Sequence, residues 1–218
     1  MAHFDLEEQE QLEQFKHFWK TWGTLITWLV IVVLGGFAAW NGWRLWQSRQ
    51  ALQATALSEA VELAVQGGDA ARVQQAFGDL RKDYGGTVQA AQAGLMAAKS
   101  QADAGKWDGA KATLTWVADN SSDKGYAAVA RLRLASVLVQ EKAYDQALAQ
   151  LSGSFPPEFV ALVADRKGDV LALQDKKAEA IDAYRVAWRA MAQDAEYRRL
   201  VEAKLNALGA RADAVAAG

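Results

Sequence analysis

The sequence predicts an all-α chain in two parts: one N-terminal helix apolar enough to cross a membrane, then a stack of helical hairpins closed by a C-terminal capping helix. Three observations predict it. Alanine, glutamine and charged residues dominate after about residue 50, and the 218-residue chain holds two prolines. Such a composition favours helices, because alanine loses no side-chain entropy there and straight side chains lose little. Six of the nine tryptophans fall before residue 47. A short motif built on a small residue recurs at near-constant intervals in the second half.

Residues 1–20 read as an acidic tail, with Asp5, Glu7, Glu8, Glu10 and Glu13 against Lys16 and Lys20. Such a charge run reads as a solvated face, or as a docking element for a cytosolic partner. Residues 21–43 follow as 23 consecutive uncharged positions, long enough for a helix of roughly 35 Å against a hydrocarbon core about 30 Å thick. Trp19 and Trp22 at one end, and Trp40, Trp43 and Trp46 at the other, stand where indole rings prefer the membrane interfaces. This makes membrane lipid the expected surroundings of the segment. The acidic start and the length of the apolar run argue for a retained signal-anchor over a cleaved signal peptide. Lys16 and Lys20 on one side balance Arg44 and Arg49 on the other, so charge bias leaves the orientation tied.

Residues 44–218 are expected to form the hairpin domain. Two helices, about 44–66 and 69–83, meet at Gly67-Gly68 as a degenerate first hairpin. Three segments then superpose: Gly105-Lys106-Trp107-Asp108-Gly109-Ala110, Lys142-Ala143-Tyr144-Asp145-Gln146-Ala147 and Asp175-Lys176-Lys177-Ala178-Glu179-Ala180. Their alanines, Ala110, Ala147 and Ala180, lie 37 and 33 residues apart, near the about 34-residue period of tetratricopeptide repeats. In such a repeat a small residue lets paired helices approach and a bulky one a turn later fills the gap. Leu114, Leu151 and Tyr184 take the bulky place, Trp107 and Tyr144 the aromatic one, and Lys177 replaces the third aromatic. Upstream, Leu134-Ala135-x-x-Leu138 and Lys167-Gly168-x-x-Leu171 mark the first helices, with Gly168 the small residue of the last. A helix over 194–208 stopping at Gly209 caps the stack, because glycine suits a left-handed helix end.

Taken together, Glu7-Glu8-Gln9-Glu10-Gln11-Leu12 with Phe15-Lys16 and Trp19, the Trp40-x-x-Trp43 exit, Ala130-Arg131-Leu132-Arg133-Leu134-Ala135, Ala164-Asp165-Arg166-Lys167-Gly168-Asp169 and the terminal Leu200-Val201-Glu202-Ala203-Lys204-Leu205-Asn206-Ala207-Leu208-Gly209 resemble the ancillary subunit of the bacterial Sec translocon. This is a family of inner-membrane proteins with a periplasmic tetratricopeptide-like domain. The resemblance implies a cytoplasmic tail, a periplasmic repeat domain and a non-catalytic role beside the protein-export channel. It also implies partnership with a membrane-anchored periplasmic chaperone of the prolyl-isomerase type and with exported polypeptides. If the helices stack as in the family, the first helix of each hairpin lines a groove, along which Gln92, Leu95, Lys99, Ser136, Val139, Asp165 and Asp169 would fall.

Composition narrows the remaining classes. Beyond residue 43 there are 22 Lys and Arg against 21 Asp and Glu, with no basic block of the kind that nucleic acid requires. Both histidines, His3 and His17, precede the apolar segment and cysteine is absent, leaving the hairpin domain without a His or Cys base, nucleophile or soft metal ligand. Neither an enzyme nor a cofactor site is expected. Asp165 and Asp169, four apart, read as a solvated helix face. An envelope scaffold that gathers cell-wall or division proteins would use the same anchor and repeats, and it stands beside the translocon-accessory reading.

Overall fold

A computed structural model describes residues 6–211, in two compact units, residues 1–50 and 51–218. The first unit is helical from residue 6 onward, within α1 (Leu6–Gln66). The helix carries no break at residues 20/21 or 43/44, the expected limits of the membrane span. Its apolar side chains are bare: Leu25, Trp28, Leu29, Val32, Val33, Leu34 and Phe37 are each more than half exposed. By length and composition this stretch of α1 is long and apolar enough to cross a membrane, and soluble monomers rarely expose so continuous an apolar surface. Trp19, Trp22, Trp40, Trp43 and Trp46 are likewise half or more exposed, and Trp43 and Trp46 lie 5.2 Å apart. Residues 1–5, with His3, lie outside the described residues, as do the side chains of the acidic run through Gln14.

In the second unit the end of α1 pairs with α2 (Ala70–Tyr84), α3 (Val88–Asp103) with α4 (Trp107–Asn120), α5 (Lys124–Gln140) with α6 (Tyr144–Leu151), and α7 (Val160–Leu173) with α8 (Lys177–Ala190). The final helix is α9 (Glu196–Ala207). Among the described residues, those with left-handed φ are Gly68, Gly105, Lys142, Asp175 and Gly209, at intervals of 37, 37, 33 and 34 residues. The first four each end the first helix of a hairpin, and Gly209 ends α9. At four of them the chain closes identically: the N–H one residue beyond donates back five residues, Lys106 to Gln101 O (2.8 Å), Ala143 to Leu138 O (2.9 Å), Lys176 to Leu171 O (3.0 Å) and Ala210 to Leu205 O (2.9 Å). This double closure satisfies carbonyls that a helix end would otherwise orphan.

Five residues past the turn stand Val73, Ala110, Ala147 and Ala180, all fully buried, and four further on come Phe77, Leu114, Leu151 and Tyr184, at most 3% exposed. The degenerate first hairpin is therefore a true repeat with valine in the small place. Gly168 shows how close the paired helices come, since a Cβ on it would lie 2.5 Å from the Tyr184 ring. The third helix departs from the later first helices at one place. Gln101 replaces the leucine of later repeats and is buried (3%) with its Oε1 accepting from the Thr113 hydroxyl at 3.0 Å.

The capping helix buries Val201 and Leu205 in an apolar cluster with Leu171, Ala180, Tyr184 and Ala187, and charge sets how it is seated. Lys204 donates to Asp165 Oδ1 and Asp169 Oδ1, both at 2.7 Å. The Tyr197 hydroxyl donates to Asp165 Oδ2 at 2.7 Å, and that of Tyr184 to Asp169 Oδ1 at 2.8 Å. Asp165 is wholly buried. The solvated face expected for the two aspartates is corrected: Tyr197 and Lys204, seven apart on α9, reach across to α7 and cover them. Burial alone would lower the Lys204 pKa, but its bonds to Asp165 and then Asp169 raise it above the usual lysine value. Burial and the bond to Asp169 push Tyr184 well above the usual tyrosine value, and burial and the bond to Asp165 raise Tyr197.

Three outcomes are expected. Ala147→Leu should cost about 1–3 kcal/mol by overpacking, whereas Lys142→Gly should stabilise by about 1 kcal/mol by relieving a left-handed lysine; thermal melts should move in opposite directions. Lys204→Met should cost about 3–5 kcal/mol, because Asp165 is left buried beside no cation. Lys204, Tyr184 and Tyr197 all have raised folded-state pKa values, so their contribution is full below the unfolded values and is lost as pH rises beyond about 10. Melts between neutral and strongly alkaline pH should fall less steeply for Tyr184→Phe than for the parent chain.

Candidate partner-binding groove

Successive first helices leave clefts between them. One, of about 330 Å³, lies between α3 and α5 and is lined by Ala98, Lys99, Ala102, Leu114, Arg133, Ser136 and Val137. Arg133 Nη1 donates to the Leu95 carbonyl at 3.1 Å and so ties α5 to α3 beside this cleft. A second, of about 270 Å³, lies between α5 and α7, with Ser136, Val139, Gln140, Arg166, Asp169 and Leu173 among its walls. Ser136 borders both clefts.

Of the groove residues expected from sequence, the structure brings Lys99, Ser136, Val139 and Asp169 to these clefts. Gln92 is exposed on α3 but lines neither cleft. Two residues are misplaced by the sequence reading. Leu95 is 6% exposed and packs in the central core, because α3 turns that face toward its own hairpin. Asp165 lies under α9, spent on Lys204 and Tyr197. Asp169 keeps one oxygen for Tyr184 and Lys204 and turns the other toward Arg166 at 3.3 Å. Sequence reasoning missed Arg133 and Arg166 as cleft walls and Lys204 as their neighbour's counter-ion. The one available signal was the seven-residue spacing of Tyr197 and Lys204 on the last helix.

The walls combine methyl groups and short aliphatic chains with one or two charges per cleft. Such a surface suits side chains of an extended or helical peptide, with specificity from the charged rim. Adjacent hairpins are also stapled on the outside: Lys111 Nζ meets Glu141 at 2.8 Å, and Gln174 Nε2 donates to Asp145 at 2.8 Å. In both pairs the residue just before the left-handed turn reaches back to the preceding hairpin, so the clefts have rigid borders. Among the described residues no three His, Cys, Asp or Glu side chains converge in a way that would hold a metal ion.

Comparison with known proteins agrees with this geometry. The family model described as a tetratricopeptide repeat-like domain matches residues 16–210. The ancillary SecYEG translocon subunit of Neisseria gonorrhoeae is 38% identical over 155 residues, covering 71% of this chain and 74% of the relative. The repeated turns, the small and bulky places of each hairpin and these matches together show that the chain belongs to the tetratricopeptide repeat-like family that includes the ancillary SecYEG translocon subunit.

Proposed function

We propose that this chain is a non-catalytic, membrane-anchored accessory subunit of the Sec translocon, whose repeat domain lies in the periplasm and receives exported polypeptides or a membrane-anchored chaperone of the prolyl-isomerase type. The observation that carries the reading is one chain with both a bare apolar helix and a hairpin stack with open clefts, in a protein 38% identical to a translocon subunit. The apolar helix, residues 21–43, fixes the chain in the inner membrane with the acidic N-terminus in the cytoplasm. Small clefts of this kind bind through a few side chains, so affinity for one segment is modest. Anchoring raises the local concentration of the clefts at the channel and turns modest affinity into useful occupancy.

Two measurements test this reading. A single cysteine at the exposed Ser152 should react with a membrane-impermeant thiol reagent in spheroplasts; protection there would put the repeat domain in the cytosol. Photo-crosslinkers at Ser136 and Val139 should capture exported polypeptides or the chaperone, and crosslinkers within 29–40 should capture the channel. With the crosslinkers kept at Ser136 and Val139, removing residues 1–46 should cut capture at these positions by about 100-fold, the scale of a lost tether. Capture of cell-wall or division proteins in place of these would favour the envelope scaffold.

A further inference from the structure

The third hairpin differs from the others in length. Its second helix, α6, has 8 residues, against 15, 14 and 14 in α2, α4 and α8. The chain leaves it through Gly153, Ser154 and Phe155 into Pro156 and Pro157, the two prolines of the sequence. In an antiparallel hairpin the last turns of the second helix lie over the first turns of its partner. With α6 cut short, the N-terminal half of α5 lacks that cover.

The register of the repeats shows what has changed there. Eleven residues before the left-handed turn stand Leu57, Gly94 and Ala164 in the other hairpins, and Arg131 in this one. Gly94 is packed so closely that a Cβ on it would lie 2.5 Å from Val117 and 3.1 Å from Phe77, and Ala164 is 6% exposed. An arginine fits this place only where the facing helix has already ended. Its guanidinium runs under the loop, where a Cβ on Gly153 would collide with Nη1.

The space left is a cleft of about 520 Å³, bordered by Lys124, Ala128 and Arg131 of α5 and by Phe155, Pro156 and Pro157. It shares no lining residue with the two clefts of the partner groove. Lys124 and Arg131 are seven apart and so on one face of α5, and among the described residues neither has an ion-pair partner. The walls between and opposite them are methyl, aromatic and pyrrolidine surface. Two unpaired cations over an apolar floor call for an anionic ligand with apolar groups between its charges.

We propose that this cleft is a second docking site, separate from the groove and independent of the partner assigned to it, for a short peptide segment with carboxylates on either side of apolar side chains. The two cations are set about 10 Å apart by the rise of the helix, and an extended peptide, whose alternate side chains share a face, brings carboxylates to both from residues four apart, about 13 Å along the strand. Arg131 offers a planar fork that fits a carboxylate, and Lys124 a point charge. Two consecutive prolines hold the opposite wall in shape, so little order has to be imposed on binding.

The test uses the full chain in detergent micelles and a fluorescein-labelled octapeptide with two glutamates four residues apart among leucines, followed by anisotropy. The glutamate peptide should bind about tenfold more tightly than its glutamine analogue, and Arg131→Ala and Lys124→Gln should each weaken it about tenfold, the scale of one lost charge-assisted contact. Arg131→Ala installs the residue that α7 carries at the same place, and Lys124 is exposed at a helix start, so both should melt like the parent. Equal binding of the two peptides, or no weakening in either variant, overturns the proposal. Displacement of the glutamate peptide by short-chain phosphatidylglycerol at lower concentration than by unlabelled peptide would also overturn it and make the site one for lipid phosphate.

Discussion

Everything in the repeat unit depends on how each hairpin turns. A first helix stops at a residue held at positive φ, the chain reverses within two residues, and the fifth residue must be small enough for the returning helix to lie against its partner. Gly68, Gly105, Lys142 and Asp175 set this geometry at nearly constant intervals, and Gly209 repeats the turn at the end of the capping helix. The fully buried Val73, Ala110, Ala147 and Ala180 are its direct consequence. The constraint is steric before it is energetic: a larger residue at these places moves a helix, and with the helix goes the cleft beside it. A lysine and an aspartate tolerate the left-handed conformation because the closing hydrogen bonds and the apolar contacts on both sides over-determine it.

Solenoids have ends, and their ends have to be closed. At the C-terminal end Val201 and Leu205 of α9 supply apolar closure, and one lysine and one tyrosine seat the helix on a buried aspartate. A buried pair of this kind adds little net stability relative to an apolar contact but punishes any register in which the charges do not meet. The network thereby selects one seating for the cap. That choice also withdraws Asp165 from the groove and leaves Asp169, shared with Arg166, as the acidic edge of the cleft between α5 and α7.

Much of this was legible in the sequence because it is local. The alanine and bulky places, the Gly67-Gly68 break and the stop at Gly209 are set by residues within one or two helical turns of each other. The degenerate first hairpin was legible as a hairpin but not as a repeat, since Val73 and Phe77 fill the small and bulky places with larger side chains than the motif expects. What could not be read depends on distant partners. Burial of Asp165 follows from Lys204, 39 residues on. Leu95 was taken for a groove residue because its face depends on how α3 rotates against α4, a packing outcome no spacing encodes. The opening over α5 was illegible too, because α6 ends early for want of helical sequence before Phe155-Pro156-Pro157, and only the register of the other hairpins shows what that uncovers.

In the function proposed above, an apolar helix and a hairpin stack in one chain join two kinds of binding, one within the membrane and one to peptide segments in water. The central claim, that the apolar helix delivers the stack to the Sec channel, is tested most directly by affinity purification of the full chain from native membranes in mild detergent, with partners quantified by mass spectrometry. The account predicts channel subunits among the strongest partners of the full chain and their loss when residues 1–46 are removed. Recovery of cell-wall or division proteins without any channel subunit would contradict it.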